Sequence, residues 1–147
     1  MGDANSDYAK QYENEELSWS NLKDLTDVEL YNCPNMTQLP DFLYDLPELQ
    51  SLNIACNRGI SAAQLKADWT RLADDEDTGP KIQIFYMGYN NLEEFPASAS
   101  LQKMVKLGLL DCVHNKVRHL EAFGTNVKLT DLKLDYNQIE EIPEDFC

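Results

Sequence analysis

Cys112 and His114 stand two residues apart, and a thiol beside an imidazole is a pairing that can make a nucleophile. Cys112, however, falls where each related segment of the chain carries a large apolar residue, and a thiol buried among apolar side chains is inert. His119 has no partner that the sequence identifies. Asp74-Asp75-Glu76-Asp77 is a dense acidic run beside Gly79, and hard cations such as calcium take several carboxylates. It lacks the alternating ligands and the sixth-position glycine of a calcium loop. A solvated loop, or one that meets a basic partner, is the expected reading. The six glycines are scattered, so no phosphate cradle forms, and neither H-E-x-x-H nor a zinc-ligand set occurs. The four cysteines include no C-x-x-C. A Cys33–Cys56 bridge would span neighbouring segments, but the two lie at different offsets, which argues against it. No catalysis, metal or cofactor is expected; the residue type that stands out instead is tyrosine, which is enriched at binding hot spots.

The segments that must position these residues repeat. They are Leu25-x-x-Val28-x-Leu30-x-x-Cys33 and Leu49-x-x-Leu52-x-Ile54-x-x-Asn57, then Ile82-x-x-Phe85-x-Met87-x-x-Asn90-x-Leu92. Leu107-x-x-Leu110-x-Cys112-x-x-Asn115-x-Val117 and Leu129-x-x-Leu132-x-Leu134-x-x-Asn137-x-Ile139 complete the set. This is the leucine-rich-repeat pattern L-x-x-L-x-L-x-x-N/C-x-L. First positions at 25, 49, 82, 107 and 129 give steps of 24, 33, 25 and 22 residues. Three of these steps fall in the usual window, and the long one carries an insertion of roughly nine residues.

The pattern predicts an α/β right-handed solenoid, or horseshoe, of about five repeats with a parallel β-sheet on the concave side. The strands are expected within 25–33, 49–57, 82–90, 107–115 and 129–137. Positions one, four and six point inward, and the side chains between them point out. The ninth positions, Cys33, Asn57, Asn90, Asn115 and Asn137, are expected to form a buried ladder, because a buried Asn can both donate to and accept from backbone.

Leu39-Pro40, Phe95-Pro96 and Ile142-Pro143 follow their strands at matching offsets and suit an extended or irregular return on the convex side rather than a second sheet. The insertion, about 61–80, reads differently. Ser61 can cap a helix whose apolar stripe is Leu65, Trp69 and Leu72, and Gly79-Pro80 ends it. Residues 1–18 form a polar segment, and the repeat domain is taken as 19–147. Trp19-x-x-Leu22-x-x-Leu25 reads as half of an incomplete repeat, with a short helix beginning near Asn14–Glu16 or Ser18. The chain stops inside its fifth repeat, as a piece of a longer array would, or as a chain that pairs its open end with another copy.

The 147 residues carry a net charge of −14. Such a surface repels phosphate, so nucleic acid and anionic membranes are not expected partners, whereas a basic protein or peptide is compatible. No apolar run of about 18 residues is present, so no membrane span is expected. The first twenty residues are polar and acidic and do not resemble a signal peptide.

The phrases Asn137-x-Ile139-x-x-Ile142-Pro143 and Asn90-x-Leu92-x-x-Phe95-Pro96 make the chain resemble leucine-rich-repeat domains of bacterial surface and secreted proteins. The resemblance covers about Trp19 to Cys147. It implies a curved solenoid that binds a protein or peptide without catalysis, at the cell surface or secreted, with the cytoplasm as the alternative. The enlarged second repeat and the missing caps depart from the family's pattern.

The outward positions fall into three columns. The first is Glu29, Asn53, Tyr86, Asp111 and Lys133; the second is Tyr31, Ala55, Gly88, Val113 and Asp135. The third, at the strand exit, is Asn32, Cys56, Tyr89, His114 and Tyr136. A concave binding patch is expected on Tyr31, Tyr86, Tyr89, His114 and Tyr136, rimmed by Glu29, Asp111 and Asp135, with a shallow notch at Gly88. The competing reading is an ordinary solvated sheet face on which tyrosine merely favours strands. A structural or self-associating role, through open solenoid ends or tyrosine-rich faces, is the alternative, and the targeting arm of a longer protein is another.

Overall fold

Each repeat places its apolar residues one turn further along the same axis, so the strands can pair only with their sequence neighbours. The computed structural model describes residues 22–125 and 127–146. The polar segment 1–18, Trp19 and the helix start expected near Asn14–Glu16 or Ser18 lie outside the described residues, as do Asn126 and Cys147. In chain order the elements are β1 (Asp27–Glu29), β2 (Ser51–Asn53), α1 (Ala62–Asp74), β3 (Ile84–Tyr86), α2 (Ser98–Leu101), β4 (Leu109–Asp111) and β5 (Asp131–Lys133). Short 3-10 turns occupy Asp41–Asp45 and Gly79–Lys81. The five strands form one parallel sheet in the order β1-β2-β3-β4-β5. The architecture is the expected repeat solenoid.

The regular strands cover only three residues of each nine-residue segment. The hydrogen-bond ladder nevertheless continues beyond them. Leu30 N–H donates to the Asn53 carbonyl at 2.8 Å and Asn32 N–H to the Ala55 carbonyl at 3.1 Å, and the pattern recurs in the next units. The backbone leaves strand geometry early because the ninth residue pulls it inward.

That pull is visible atom by atom. Asn57 Nδ2 donates to the Leu30 and Ile54 carbonyls, both at 2.7 Å. Asn90 Nδ2 donates to Ile54 and Met87 at 3.0 and 2.9 Å, Asn115 to Met87 and Cys112 at 3.0 Å each, and Asn137 to Cys112 and Leu134 at 2.9 Å each. Every ladder amide therefore ties its own unit to the one before. Cys33 has no amide to contribute, but its N–H donates to Asn57 Oδ1 at 2.8 Å.

The acceptor side of the ladder divides the repeats into two kinds. Asn57 and Asn90 accept from the ladder residue of the preceding unit, Cys33 N–H and Asn57 N–H. Asn115 and Asn137 accept from two residues further on, Leu92 N–H and Val117 N–H, both at 3.0 Å. The cause lies in the turn that follows. In the first two units the next inward residue comes three positions after the ladder residue, and Met36 N–H and Ile60 N–H close turns on Cys33 and Asn57. A Cβ on Gly59 would lie 2.8 Å from the Met36 carbonyl oxygen, so these two turns stack closely only with glycine there. In the last three units the inward residue, Leu92, Val117 or Ile139, comes two positions later.

Leu49, Leu52, Ile54, Ile82, Phe85, Met87, Leu107, Leu110 and Cys112 are fully buried, as the repeat predicts. The outer units are only partly so: Leu25, Leu30, Leu129, Leu132 and Leu134 pack against the core half-buried. The inserted helix α1 forms as expected. Ser61 Oγ accepts from Gln64 N–H, and Leu65, Trp69 and Leu72 are fully buried. Trp69 meets Phe85 and Phe95 edge-on, with ring centres 5.8 and 4.9 Å away. Two buried polar groups fasten the insertion to the first unit. Asp68 accepts from Leu39 N–H at 2.9 Å and from Gln64 Nε2 at 2.8 Å, and Thr78 Oγ1 accepts from Leu46 N–H at 3.2 Å.

The return segments are mostly irregular, as expected, yet those of the last three units do touch. Glu94 bridges to His119 and His119 to Glu141 in parallel. The expectation of no second sheet holds only in that these are isolated bridges. Once the turn shortens in these units, Lys116 N–H reaches the Leu92 carbonyl at 2.8 Å and draws the returns together.

Candidate binding face

The strand register aligns Glu29, Asn53, Tyr86, Asp111 and Lys133 in one row, the first of the expected columns. Asn53 Oδ1 and Asp111 Oδ1 each accept from the N–H two residues on, Ala55 at 3.0 Å and Val113 at 3.1 Å. These local bonds turn the chain toward the strand exit, in the manner of an Asx turn.

The third column is conformationally unusual. Asn32, Cys56, Tyr89, His114 and Tyr136 all have positive φ, between 53° and 61°, and they are the described non-glycine residues that do. The left-handed region costs an L-residue roughly 1–2 kcal/mol. Repetition in every unit shows that the ladder enforces it. The effect is to swing these side chains outward beside the sheet. The Tyr89 and His114 rings stack at 4.3 Å with 14° between planes, and His114 and Tyr136 at 4.2 Å with 13°. Stacked pairs contribute about 0.5–1.5 kcal/mol each beyond burial, which offsets part of the strain.

Beside this stack is a depression of about 220 Å³ lined by Tyr31, Tyr86, Gly88 and Tyr89; Asn53, Ala55, Cys56, Asp111 and Val113 complete the lining. A Cβ on Gly88 would come within 3.0 Å of Val113 Cγ2, so glycine keeps the site open. Hydrogen bonding and proximity to the Cys56 thiol raise the Tyr31 phenol above its ordinary pKa. Tyr31 and Tyr136 are well exposed, and Tyr89 less so.

Of the expected patch, the notch thus joins Tyr31, Tyr86, Tyr89 and Asp111, while His114 and Tyr136 connect to it through the stack. Glu29 is exposed on β1 next to Asn53, and Asp135 lies exposed at the last unit of the second column; neither lines the notch. Asn53, Cys56 and Val113 were not singled out from the sequence, although column position places them there. The ion pairs among the described residues, Lys66–Glu94, Arg71–Asp41 and Lys103–Asp74, each use a residue of α1, so they involve no side chain of this face.

The other candidates are taken up by structure. Cys112 is fully buried, and burial and Asp111 push its thiol well up, while His114 is committed to the outer stack. Cys33 and Cys56 are free thiols. In the acidic run Asp74 pairs with Lys103, and Asp75 Oδ1 accepts from the N–H groups of Asp77 and Thr78. His119 shares a groove of about 420 Å³ with Glu93, Glu94, Lys116, Arg118 and Gln138. Among the described residues no cluster of three or more His, Cys, Asp or Glu is arranged to hold a metal, and no helix is long and apolar enough to cross a membrane.

No protein-family model matches the chain. Among solved structures, a leucine-rich repeat protein from Bacteroides thetaiotaomicron is 99% identical over the whole chain with a TM-score of 0.86, and one from Bacteroides eggerthii is 62% identical over 95% of it with 0.84. The chain spans only 18% and 23% of those two proteins. An internalin from Listeria monocytogenes, 20% identical over 84% of the chain with a TM-score of 0.50, shares the fold. Toll-like receptor 7 of Drosophila melanogaster is 31% identical over 107 residues, which is 71% of this chain and 7% of the receptor.

Proposed function

We propose, from the premise that this chain belongs to the leucine-rich-repeat proteins, that it is a non-catalytic module that binds a protein or peptide on its concave sheet face. The observation that carries the reading is the gathering of aromatic side chains on this face: Tyr31, Tyr86 and Tyr89 line an open notch, and His114 and Tyr136 extend from Tyr89 by stacking. Tyrosine offers large contact area at small entropic cost, and buried aromatic anchors dominate binding energy. The net charge of −14, with Glu29, Asp111 and Asp135 on this face, favours a basic partner surface. Placement outside the cell or at its surface belongs to the same reading and rests on family resemblance alone.

Panning a displayed random-peptide library against the protein tests this. The enriched peptides should lose at least tenfold in affinity for Tyr86→Ala and for Tyr89→Ala, as expected for hot-spot tyrosines. Peptides that bind both variants as tightly as the parent would place recognition elsewhere.

A further inference from the structure

We infer that the Gly88 notch is a socket for one cationic side chain, lysine or arginine, presented by the bound protein or peptide. The inference rests on the concave-face reading and specifies its central contact.

Size is the first argument. The notch holds about 220 Å³, below the roughly 300 Å³ at which independent small-molecule sites begin. It accommodates a single side chain and is open enough for one to enter from a backbone lying across the sheet.

The lining then selects the chemistry. Tyr31, Tyr86 and Tyr89 surround the space, and aromatic faces attract a cation through their quadrupole. Asp111 stands at its edge. One of its oxygens accepts from Val113 N–H, and the other receives no hydrogen bond within the described residues. Asp111 is also absent from the ion pairs of the described residues, all of which involve α1. Its column neighbour Lys133 pairs with it in strand register but does not line the notch. The socket therefore presents aromatic rings and a carboxylate, with no positive group in its lining.

Other occupants fit less well. An aliphatic side chain would strip water from Asp111 and give nothing in return. A sugar ring could use the polar atoms of the lining but would leave the Asp111 charge without a counter-charge. The net charge of −14 draws cations toward the chain at long range, an attraction that salt weakens.

The test is an amide-shift titration of the 15N-labelled protein with four probes: N-acetyl-arginine methylamide, N-acetyl-lysine methylamide, the neutral norleucine analogue, and cellobiose. The two cationic probes should shift the amides of Gly88, Tyr89 and Val113 saturably, and less so in high salt. Norleucine and cellobiose should leave them unmoved. Asp111→Asn should weaken arginine binding about tenfold, the scale of one lost charge-assisted contact. Gly88→Ala, which adds one methyl beside Val113 Cγ2, should weaken it as well. The socket is overturned if no probe shifts these amides, if norleucine or cellobiose shifts them equally, or if Asp111→Asn leaves the arginine affinity unchanged. Failure of the broader reading looks different. Library peptides that depend on Tyr86 and Tyr89 but tolerate replacement of every lysine and arginine would overturn the socket and keep the binding face. Peptides indifferent to Tyr86→Ala and Tyr89→Ala would remove both.

Discussion

Replacing Asn90 by alanine should cost this fold more than removing any single amide at the edge of the ladder. Asn90 sits in the middle of the array and is 5% exposed. Its Oδ1 accepts from Asn57 N–H at 2.7 Å, and its Nδ2 donates to the Ile54 and Met87 carbonyls. The three contacts are not equal. Ile54 O keeps a second donor in Asn57 Nδ2, and Met87 O keeps one in Asn115 Nδ2. Asn57 N–H has no such reserve and would be orphaned inside the protein. An unsatisfied buried donor costs about 1–3 kcal/mol, and each lost but partly replaced bond roughly 0.5–1 kcal/mol. The expected loss is about 2–5 kcal/mol, a large share of a typical domain's stability. Asn137 makes the same kind of contacts but is half-buried, so water can take over; Asn137→Ala should cost about 1–2 kcal/mol. Urea unfolding followed by circular dichroism would compare the two. A loss below about 1 kcal/mol at Asn90, or equal losses at both sites, would refute the claim that the Asn57 N–H depends on this one acceptor.

Tyr44 gives a prediction of opposite sign. Its hydroxyl is buried without a hydrogen-bond partner, and the Arg71 guanidinium lies 3.7 Å above its ring centre, a contact phenylalanine preserves. Tyr44→Phe should therefore leave stability at neutral pH unchanged or raise it by about 1 kcal/mol; a loss would show that the hydroxyl has a partner. Burial pushes the Tyr44 phenol from 10.0 to about 12. The unfolded chain thus ionises first, and stability should fall as pH rises between those values, a fall that Tyr44→Phe should reduce in alkaline unfolding curves. Cys56, at a φ of 61°, should tolerate asparagine well, since Asn32 already fills the same column position and asparagine accepts left-handed geometry more readily. Cys56→Asn should raise the urea midpoint by up to the equivalent of about 1 kcal/mol, and an unchanged or lower midpoint would show that the ladder does not strain this residue.

Much of this fold was legible because one spacing recurs. Leu52, Phe85 and Leu110 occupy equivalent places, and their burial fixes which neighbours face outward. The stripe Leu65, Trp69 and Leu72 similarly revealed α1 and its buried side. The parts that were not legible depend on atoms far away in sequence. Nothing local in the sequence marks Asp68 or Thr78 as buried; each is held inside by a backbone N–H, of Leu39 or Leu46, that lies 29 or 32 positions earlier. The two kinds of turn were written in the sequence as one residue's difference, Met36 and Ile60 against Leu92, Val117 and Ile139. Their effect on the ladder acceptors appears only when the units stack. At the binding face, the columns followed from alternation. The left-handed backbone of the third column did not, because tyrosine favours strands and cysteine gives no local signal of positive φ, and only Asn32 and His114 of the five are residue types enriched there.

That hidden conformation also explains how a structural device can present the proposed recognition surface. The ladder draws the backbone inward, through asparagine in four units and through the Cys33 N–H in the first, so the residue before the ladder position is turned outward in every unit and by nearly the same angle. Parallel strands are spaced about 4.8 Å apart, so flat rings placed successively in this column come naturally to stacking distance. Tyr89, His114 and Tyr136 use three consecutive units in this way. The run ends where Cys56 replaces a ring, and beside that point Ala55 and Gly88 are small as well. An aromatic residue at 56 would extend the stack toward Tyr31 and occupy the space that now forms the notch. The notch therefore arises from an interruption in a regular aromatic array, with the repeat supplying its walls and three small residues supplying the opening.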